Sequence, residues 1–225
     1  MADLPRLILW AWERPEQLGF IDPEKAGVAY LALTLQLKGD EVVARPRLQP
    51  LEVAPGTCVI VVTRIETDRS ASLSSRQCYE ATAAIARLAR NNPLRAIQID
   101  FDARQSEREF YRELLIELRK ELPPAMKLSI TALASWCIGD PWIEGLPIDE
   151  AVPMLFRMGP DKETVEQRLK SGLDFQVPAS RQSLGISTDE PIENLPAGRR
   201  IYVFNPKPWT VESFEQIIRE VNSLR

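Results

Sequence analysis

The sequence predicts an α/β protein, a closed (β/α)8 (TIM) barrel that spans residues 1–225 as a single domain, and three observations carry that prediction. Eight short runs have strand character, most of them continuously apolar, as strands covered on both faces require. Amphipathic helical patterns lie between several of these runs, and the chain length falls in the ~200–250-residue range of single-domain barrels. The turn after the first strand, Trp10 to Pro15, contains no glycine. That removes the Gly-rich phosphate loop expected of the competing architecture, an open doubly wound sheet.

The elements follow in order. Leu7-Ile8-Leu9-Trp10-Ala11-Trp12 is a continuous apolar run closed by Glu13, Arg14 and Pro15, a first strand whose end emerges at a polar rim. A short helical turn and Asp22-Pro23 lead to the second strand, Gly27 to Leu37. Lys38-Gly39-Asp40-Glu41, followed by Val42-Val43-Ala44, then predicts a β-hairpin where a helix would ordinarily stand. Cys58 to Thr63 is the third strand, and Ser74-Ser75-Arg76-Gln77 is a capping box opening a helix that carries Cys78, Ala81, Thr82, Ile85 and Leu88 up to Asn91-Asn92-Pro93.

In the fourth strand, Ala96 to Asp102, apolar and polar residues alternate strictly. Ile97, Ile99 and Phe101 share one face; Gln98, Asp100 and Asp102 share the other. Ser106-Glu107-Arg108-Glu109 predicts a second capping box, for a helix from Glu107 to Leu122 with a stripe of Phe110, Leu114, Leu115, Leu118 and Leu122. Met126 to Ala134 and Ala151 to Arg157 are the fifth and sixth strands, and Asp161 caps a helix bearing Val165 and Leu169. Ser183 to Ser187 and Arg200 to Asn205 complete the eight, and Thr210 caps a closing helix whose apolar face is Val211, Phe214, Ile217, Ile218 and Val221.

Composition narrows the function classes. With 44% hydrophobic and 27% charged residues the chain has the balance of a folded globular protein. A net charge of −4 supplies no basic face for nucleic acid. No apolar run approaches the ~20 residues of a membrane span, and Leu7 to Trp12 lacks the flanks of a secretory signal. This leaves a cytoplasmic location or, with a targeting segment removed, an extracytoplasmic one. Cys58, Cys78 and Cys137 show no C-x-x-C spacing and read as small buried hydrophobes. The absence of histidine excludes His-based triads and the usual zinc sites, so acid–base chemistry falls to carboxylates, Tyr, Lys or Cys. No cofactor or metal is predicted.

In such a barrel the functional face is the C-terminal end of the strands. All five tryptophans fall at or just beyond those ends: Trp10, Trp12, Trp136, Trp142 and Trp209. Glu13, Arg64, Glu66, Asp100, Asp102, Asp140, Arg157, Asp189, Glu190 and Asn205 gather at the same rim. Flat aromatics beside carboxylates suit a pyranose, whose apolar face stacks while its hydroxyls hydrogen-bond. The candidate substrate-binding residues are therefore Trp10, Trp12, Glu13, Trp136, Asp140, Trp142, Arg157, Asn205 and Trp209. Asp100 and Asp102 are the candidate catalytic pair, because two close carboxylates push one pKa up so that one holds a proton as general acid. The competing reading of Asp100 is an ion pair with Arg64 or Arg157. Trp10 and Trp12 equally suit the barrel core, and Asp140, in Gly-Asp-Pro, equally suits a turn.

Leu9 to Pro15, Ile97 to Arg104, Leu128 to Cys137 and Asp149 to Gly159 together resemble a bacterial family catalogued as a domain of unknown function, number 3142. The resemblance implies a barrel grouped with glycoside hydrolases. More remotely, the fourth strand is similar to that of family 18 glycoside hydrolases, where a D-x-x-D-x-D-x-E run ends in the catalytic acid. One register puts that acid at Arg104; the other puts it at Asp102, with Asp100 as its neighbour and Gln98 as a substituted aspartate. Two functions are expected in consequence. One is a glycosidase acting on a bacterial polysaccharide, and the other is a non-catalytic glycan-binding barrel.

Overall fold

The computed structural model describes residues 4–90 and 94–223. In chain order the first elements are β1 (Leu7–Ala11), β2 (Glu16–Leu18), β3 (Ala26–Lys38), β4 (Glu41–Pro46), β5 (Leu51–Val53), β6 (Val59–Thr67) and α1 (Ser75–Arg90). They are followed by β7 (Ala96–Asp100), α2 (Arg108–Glu121), β8 (Lys127–Leu133), β9 (Glu150–Met154), α3 (Lys162–Lys170), β10 (Ser183–Ser187), β11 (Arg200–Phe204) and α4 (Val211–Ser223). Strands β1, β3, β6, β7, β8, β9, β10 and β11 are parallel and pair in that cyclic order. The ring closes because β1 pairs β11 on one side, Leu7 opposite Ile201, and β3 on the other, Leu7 opposite Ala26. This is the single (β/α)8 barrel that the sequence predicts.

Strand alternation sorts the side chains into two cores. Ile8, Trp10, Ala29, Leu31, Ile60, Val62, Val152 and Tyr202 fill the barrel, whereas Leu7, Leu9, Val28, Ile97, Ile99 and Phe101 belong to the larger core shared with the helices. The outward face of β7 meets α2 as its stripe requires: Phe110, Leu114, Leu115 and Leu118 are buried, and Tyr111 packs 5.1 Å from Phe101. Two glycines let the interior fill. A Cβ on Gly27 would lie 2.8 Å from the Cys58 carbonyl oxygen and 2.9 Å from Ile8 Cδ1, and one on Gly185 would meet Met154 Sδ at 2.9 Å and the Trp10 ring at 3.0 Å.

The hairpin forms at the expected place, with Lys38 opposite Glu41 across a two-residue turn whose Gly39 has φ +53°. Ser74 and Thr210 cap α1 and α4, their hydroxyl oxygens accepting the N–H groups of Gln77 at 3.4 Å and Ser213 at 3.2 Å. Other expectations need correction. Helices of three or more turns follow β6, β7 and β11, and α3, of nine residues, follows β9; the remaining links among the described residues lack α-helices. The helical turn expected after β1 is instead β2, which pairs β5 in parallel. Ser106 is not the cap of α2. The Glu107 carboxylate reaches back to the Arg104 N–H at 2.6 Å, so the chain winds through a 3-10 turn before Arg108. Asp161 occupies the position before α3 but its side chain makes no capping bond, and Val211 of α4 is 52% exposed. The helix stop Asn91-Asn92-Pro93 lies outside the described residues.

Candidate functional site

At the C-terminal ends of the strands the barrel interior opens into a cavity of about 380 Å³. One wall is aromatic. Trp10 and Trp12 come from the end of β1, Phe156 follows β9, and Phe204 ends β11. Phe156 and Phe204 stack with centroids 5.6 Å apart, Trp12 stands edge-on to Phe204 at 6.3 Å, and Trp10 is edge-on to Phe156 at 6.4 Å. The wall across from it is charged, for β7 lies four places from β11 in the ring of eight. Arg64 and Glu66 of β6, Asp100 of β7 and the following Asp102 line that side, with Glu13 at the edge.

Asp100 is 6% exposed and both its oxygens are occupied. Arg64 Nη1 donates to Oδ2 at 2.8 Å and Thr131 Oγ1 to Oδ1 at 2.8 Å. Arg64 also donates to Glu66 at 3.2 Å and stands 5.6 Å from the Trp12 ring centre. Burial works to lower its pKa, but Asp100 first, then Asp102 and Glu66, hold it above the usual arginine value. Of the readings open for Asp100, the ion pair with Arg64 is realised and the one with Arg157 is not.

Asp102 differs. Its carboxylate accepts no hydrogen bond from the described residues. Its pKa is raised, by partial burial first and the Asp100 charge second, with Arg64 pulling it down. The residue as a whole stays open to solvent, and screening moderates the effect. Glu13 is similarly free of cations within ion-pair distance, accepting one bond, from Thr34 Oγ1 at 3.3 Å.

Beneath the cavity a buried polar chain descends through the barrel. Trp10 Nε1 donates to Gln98 at 2.9 Å, Gln98 to Ser129 at 3.1 Å, and Ser129 to Glu150 at 3.2 Å. Glu150, fully buried, also accepts from the Tyr202 hydroxyl at 2.8 Å and pairs with Arg200. Burial, with the Glu150 charge beside it, pushes the Tyr202 hydroxyl well above its usual pKa.

Of the candidate catalytic and substrate-binding residues, Trp10, Trp12, Glu13, Asp100, Asp102 and Arg157 converge on the cavity. Five do not line it. Trp136 is 3% exposed and Trp142 packs edge-on to it at 5.0 Å, covered by Arg108 at 5.2 Å and beside Tyr111 of α2. Asp140 is the ion-pair partner of Arg108. The loop after β8 therefore folds over the helix layer instead of across the barrel mouth. Trp209 is 4% exposed and donates its indole N–H to the Trp10 carbonyl at 3.0 Å, while Asn205, also buried, accepts from Thr188 at 2.7 Å. Both fasten the chain after β11. Thr131, Phe156 and Phe204 are among the lining residues that sequence reasoning passed over as strand interior, whereas Gln98 was placed on the inward face. The polar Ser129 and Thr131 alternating with Leu128, Ile130 and Ala132 was the available signal.

Among the described residues no group of three His, Cys, Asp or Glu side chains is arranged to hold a metal ion, and no helix is long and apolar enough to cross a membrane. Fold and site together define an eight-stranded α/β barrel with an acidic, aromatic-walled cavity at the C-terminal strand ends. Residues 55–152 match the family model described as Domain of unknown function (DUF3142), the family that the sequence resembles. The match includes Arg64, Asp100, Asp102 and Thr131 and ends before Arg157. No curated protein and no solved structure matches the chain.

Proposed function

We propose that the barrel is a glycoside-hydrolase-like enzyme acting on a polysaccharide, with Asp102 as general acid. The observation that carries this reading is a pair of carboxylates in unlike surroundings, opposite an aromatic wall. Asp100 is held by Arg64 and Thr131, while Asp102 accepts no hydrogen bond from the described residues and has a raised pKa. A sugar ring stacked on Trp12 would present its glycosidic oxygen to Asp102, whose proton goes to the leaving oxygen as the bond to the anomeric carbon breaks. The fixed charge of Asp100 raises the pKa of Asp102 and opposes the positive charge developing on the ring. Glu13, the other lining carboxylate without a cation at ion-pair distance, would take the proton of the attacking water. Arg104 is not a lining residue and lies 3.7 Å from Glu107, which supports the register with the acid at Asp102.

The alternative, a non-catalytic glycan-binding barrel, is favoured by one observation: both Asp100 oxygens are already committed. Binding and hydrolysis measured on the same polysaccharides separate the two. For an enzyme, Asp102→Asn lowers turnover by roughly 10²–10⁴-fold with affinity little changed. For a binder no turnover exists, and Trp12→Ala weakens affinity more than either aspartate change. Full hydrolysis by Asp102→Asn moves the acid to Glu13, and failure to bind any glycan in a broad panel removes the carbohydrate reading.

A further inference from the structure

Two guanidinium groups line the cavity, Arg64 and Arg157, and they are used differently. Arg64 is committed to Asp100 and Glu66. Arg157 has no carboxylate within ion-pair distance and its guanidinium makes no hydrogen bond among the described residues, although four carboxylates line the same cavity. It lies over Phe204, 5.1 Å from the ring centre. A cation–π contact uses none of the guanidinium N–H groups as ion-pair donors and leaves its fork for a planar, bidentate acceptor.

The backbone supports the same conclusion. Arg157 has φ +51°, a left-handed conformation that disfavours any residue with a Cβ by roughly 1–2 kcal/mol, and glycine would relieve it. The conformation is pinned by Glu190, whose Oε2 accepts the Arg157 N–H at 3.0 Å. Strain of this kind concentrates at ligand clamps. Here it accompanies an exposed arginine at the aromatic wall.

We propose that Arg157 is the anion-recognising residue of the cavity and that the glycan carries an acidic substituent, a uronate carboxylate or a sulfate, seated on it. The inference rests on the carbohydrate reading of the cavity. It also makes electrostatic sense of the position. Glu13, Glu66, Asp100 and Asp102 repel an anion elsewhere in the cavity, so an acidic sugar is accepted only with its charged group at the Arg157 end. Its ring is then beside Phe204. An anion bound there also opposes ionisation of Asp102 and favours the protonated acid.

The test uses the whole chain and two matched pairs of probes: homogalacturonan oligomers against their methyl esters, and dextran sulfate against dextran. Calorimetric affinities are expected to favour at least one acidic probe about tenfold over its neutral partner, and the pair that discriminates identifies carboxylate or sulfate. Arg157→Gln should erase the preference and Arg157→Lys retain part of it, a point charge replacing the fork. Arg219→Gln, an exposed change on α4, should leave it intact. Arg157→Gly should lose the preference while its thermal midpoint stays level or rises, which separates recognition from a merely structural role. Neutral and acidic probes bound equally, or a preference that survives in Arg157→Gln, overturns the inference and leaves the carbohydrate reading standing. Binding of none of the four probes, with neutral glycans of the broad panel bound, also overturns the inference, and failure across the whole panel overturns both.

Discussion

Replacing Glu150 by alanine should destabilise the barrel by about 3–5 kcal/mol, the usual consequence of removing one partner from a buried ion pair. The magnitude follows from what Glu150 holds. It is fully buried, and its two oxygens serve Arg200, whose side chain is 9% exposed, together with the hydroxyls of Tyr202 and Ser129. In the alanine variant Arg200 keeps its bond to the Pro5 carbonyl at 3.0 Å but loses the Glu150 charge, and the Tyr202 and Ser129 hydroxyls lose the acceptor they share, itself worth about 1–3 kcal/mol. These losses overlap and do not add. Against a typical stability of about 5–15 kcal/mol the change is large. Glu150→Gln should lose less, because the amide oxygen still accepts from Tyr202. A double replacement, Glu150→Met with Arg200→Met, should recover most of the loss, because two desolvated charges disappear together. Urea titrations at pH 7 followed by tryptophan fluorescence measure all three, since Trp10 lies at the upper end of the same hydrogen-bonded chain. A Glu150→Ala variant within about 1 kcal/mol of the parent would refute the argument that this network holds the barrel interior together.

Stability should fall steeply above pH 9. Burial raises Cys78 to about 11 and Cys137 to about 12, and holds Tyr111 and Tyr202 well above 10, so the folded chain keeps protons that the unfolded chain releases. The contribution is complete below the ordinary values and is lost at about 1.4 kcal/mol per group per pH unit above them; a urea midpoint flat from pH 9 to 11 would contradict it. Gly27→Ala should destabilise by about 1–3 kcal/mol, because the clash is with the backbone carbonyl of Cys58, whereas Gly185→Ala meets movable Met154 and Trp10 side chains and should alter glycan affinity more than thermal midpoint. If Asp102 is the acid, activity falls as pH rises through its pKa. Arg64→Met, which removes a cation that lowers this pKa, should move that alkaline limb up, and Asp100→Asn should move it down; equal displacement in both variants would remove Asp102 from the role.

How much of this was legible beforehand depended on whether a signal was local. The alternation of Ala96 to Asp102 identified which side chains enter the barrel because period two is a property of the strand itself. The Lys38–Glu41 hairpin and the Ser74 and Thr210 caps were legible for the same reason, each being written within a few residues. The fates of Trp136, Trp142 and Trp209 were not local. Position beyond a strand end predicts the active face only if the loop turns toward the barrel axis, and Arg108 on α2 and the Trp10 carbonyl draw these rings away from it. The capping box at Ser106 failed because Glu107 has a better use, closing on the Arg104 N–H and accepting from Thr67 at 2.6 Å on β6. No window of the sequence around Ser106 contains Thr67.

The same distinction explains why two aspartates of one D-x-D run diverge. Arg64 is the register partner of Asp100 on β6, and Thr131 stands on β8, where Ile130 is paired with Ile99. Arg64, Asp100 and Thr131 therefore form a row across three adjacent strands, and the backbone ladder that sets this register also sets the ion pair. Strand β7 ends at Asp100. Two residues further on there is no ladder to bring a partner beside Asp102, so its carboxylate is left to the cavity. An inward carboxylate within the sheet is neutralised by its neighbours, and one just past the sheet is left facing the cavity. Moving the D-x-D run one residue along the chain would not merely displace the pair. It would turn both carboxylates outward into the apolar layer occupied by Ile99 and Phe101, where neither a counter-charge nor a ligand could reach them.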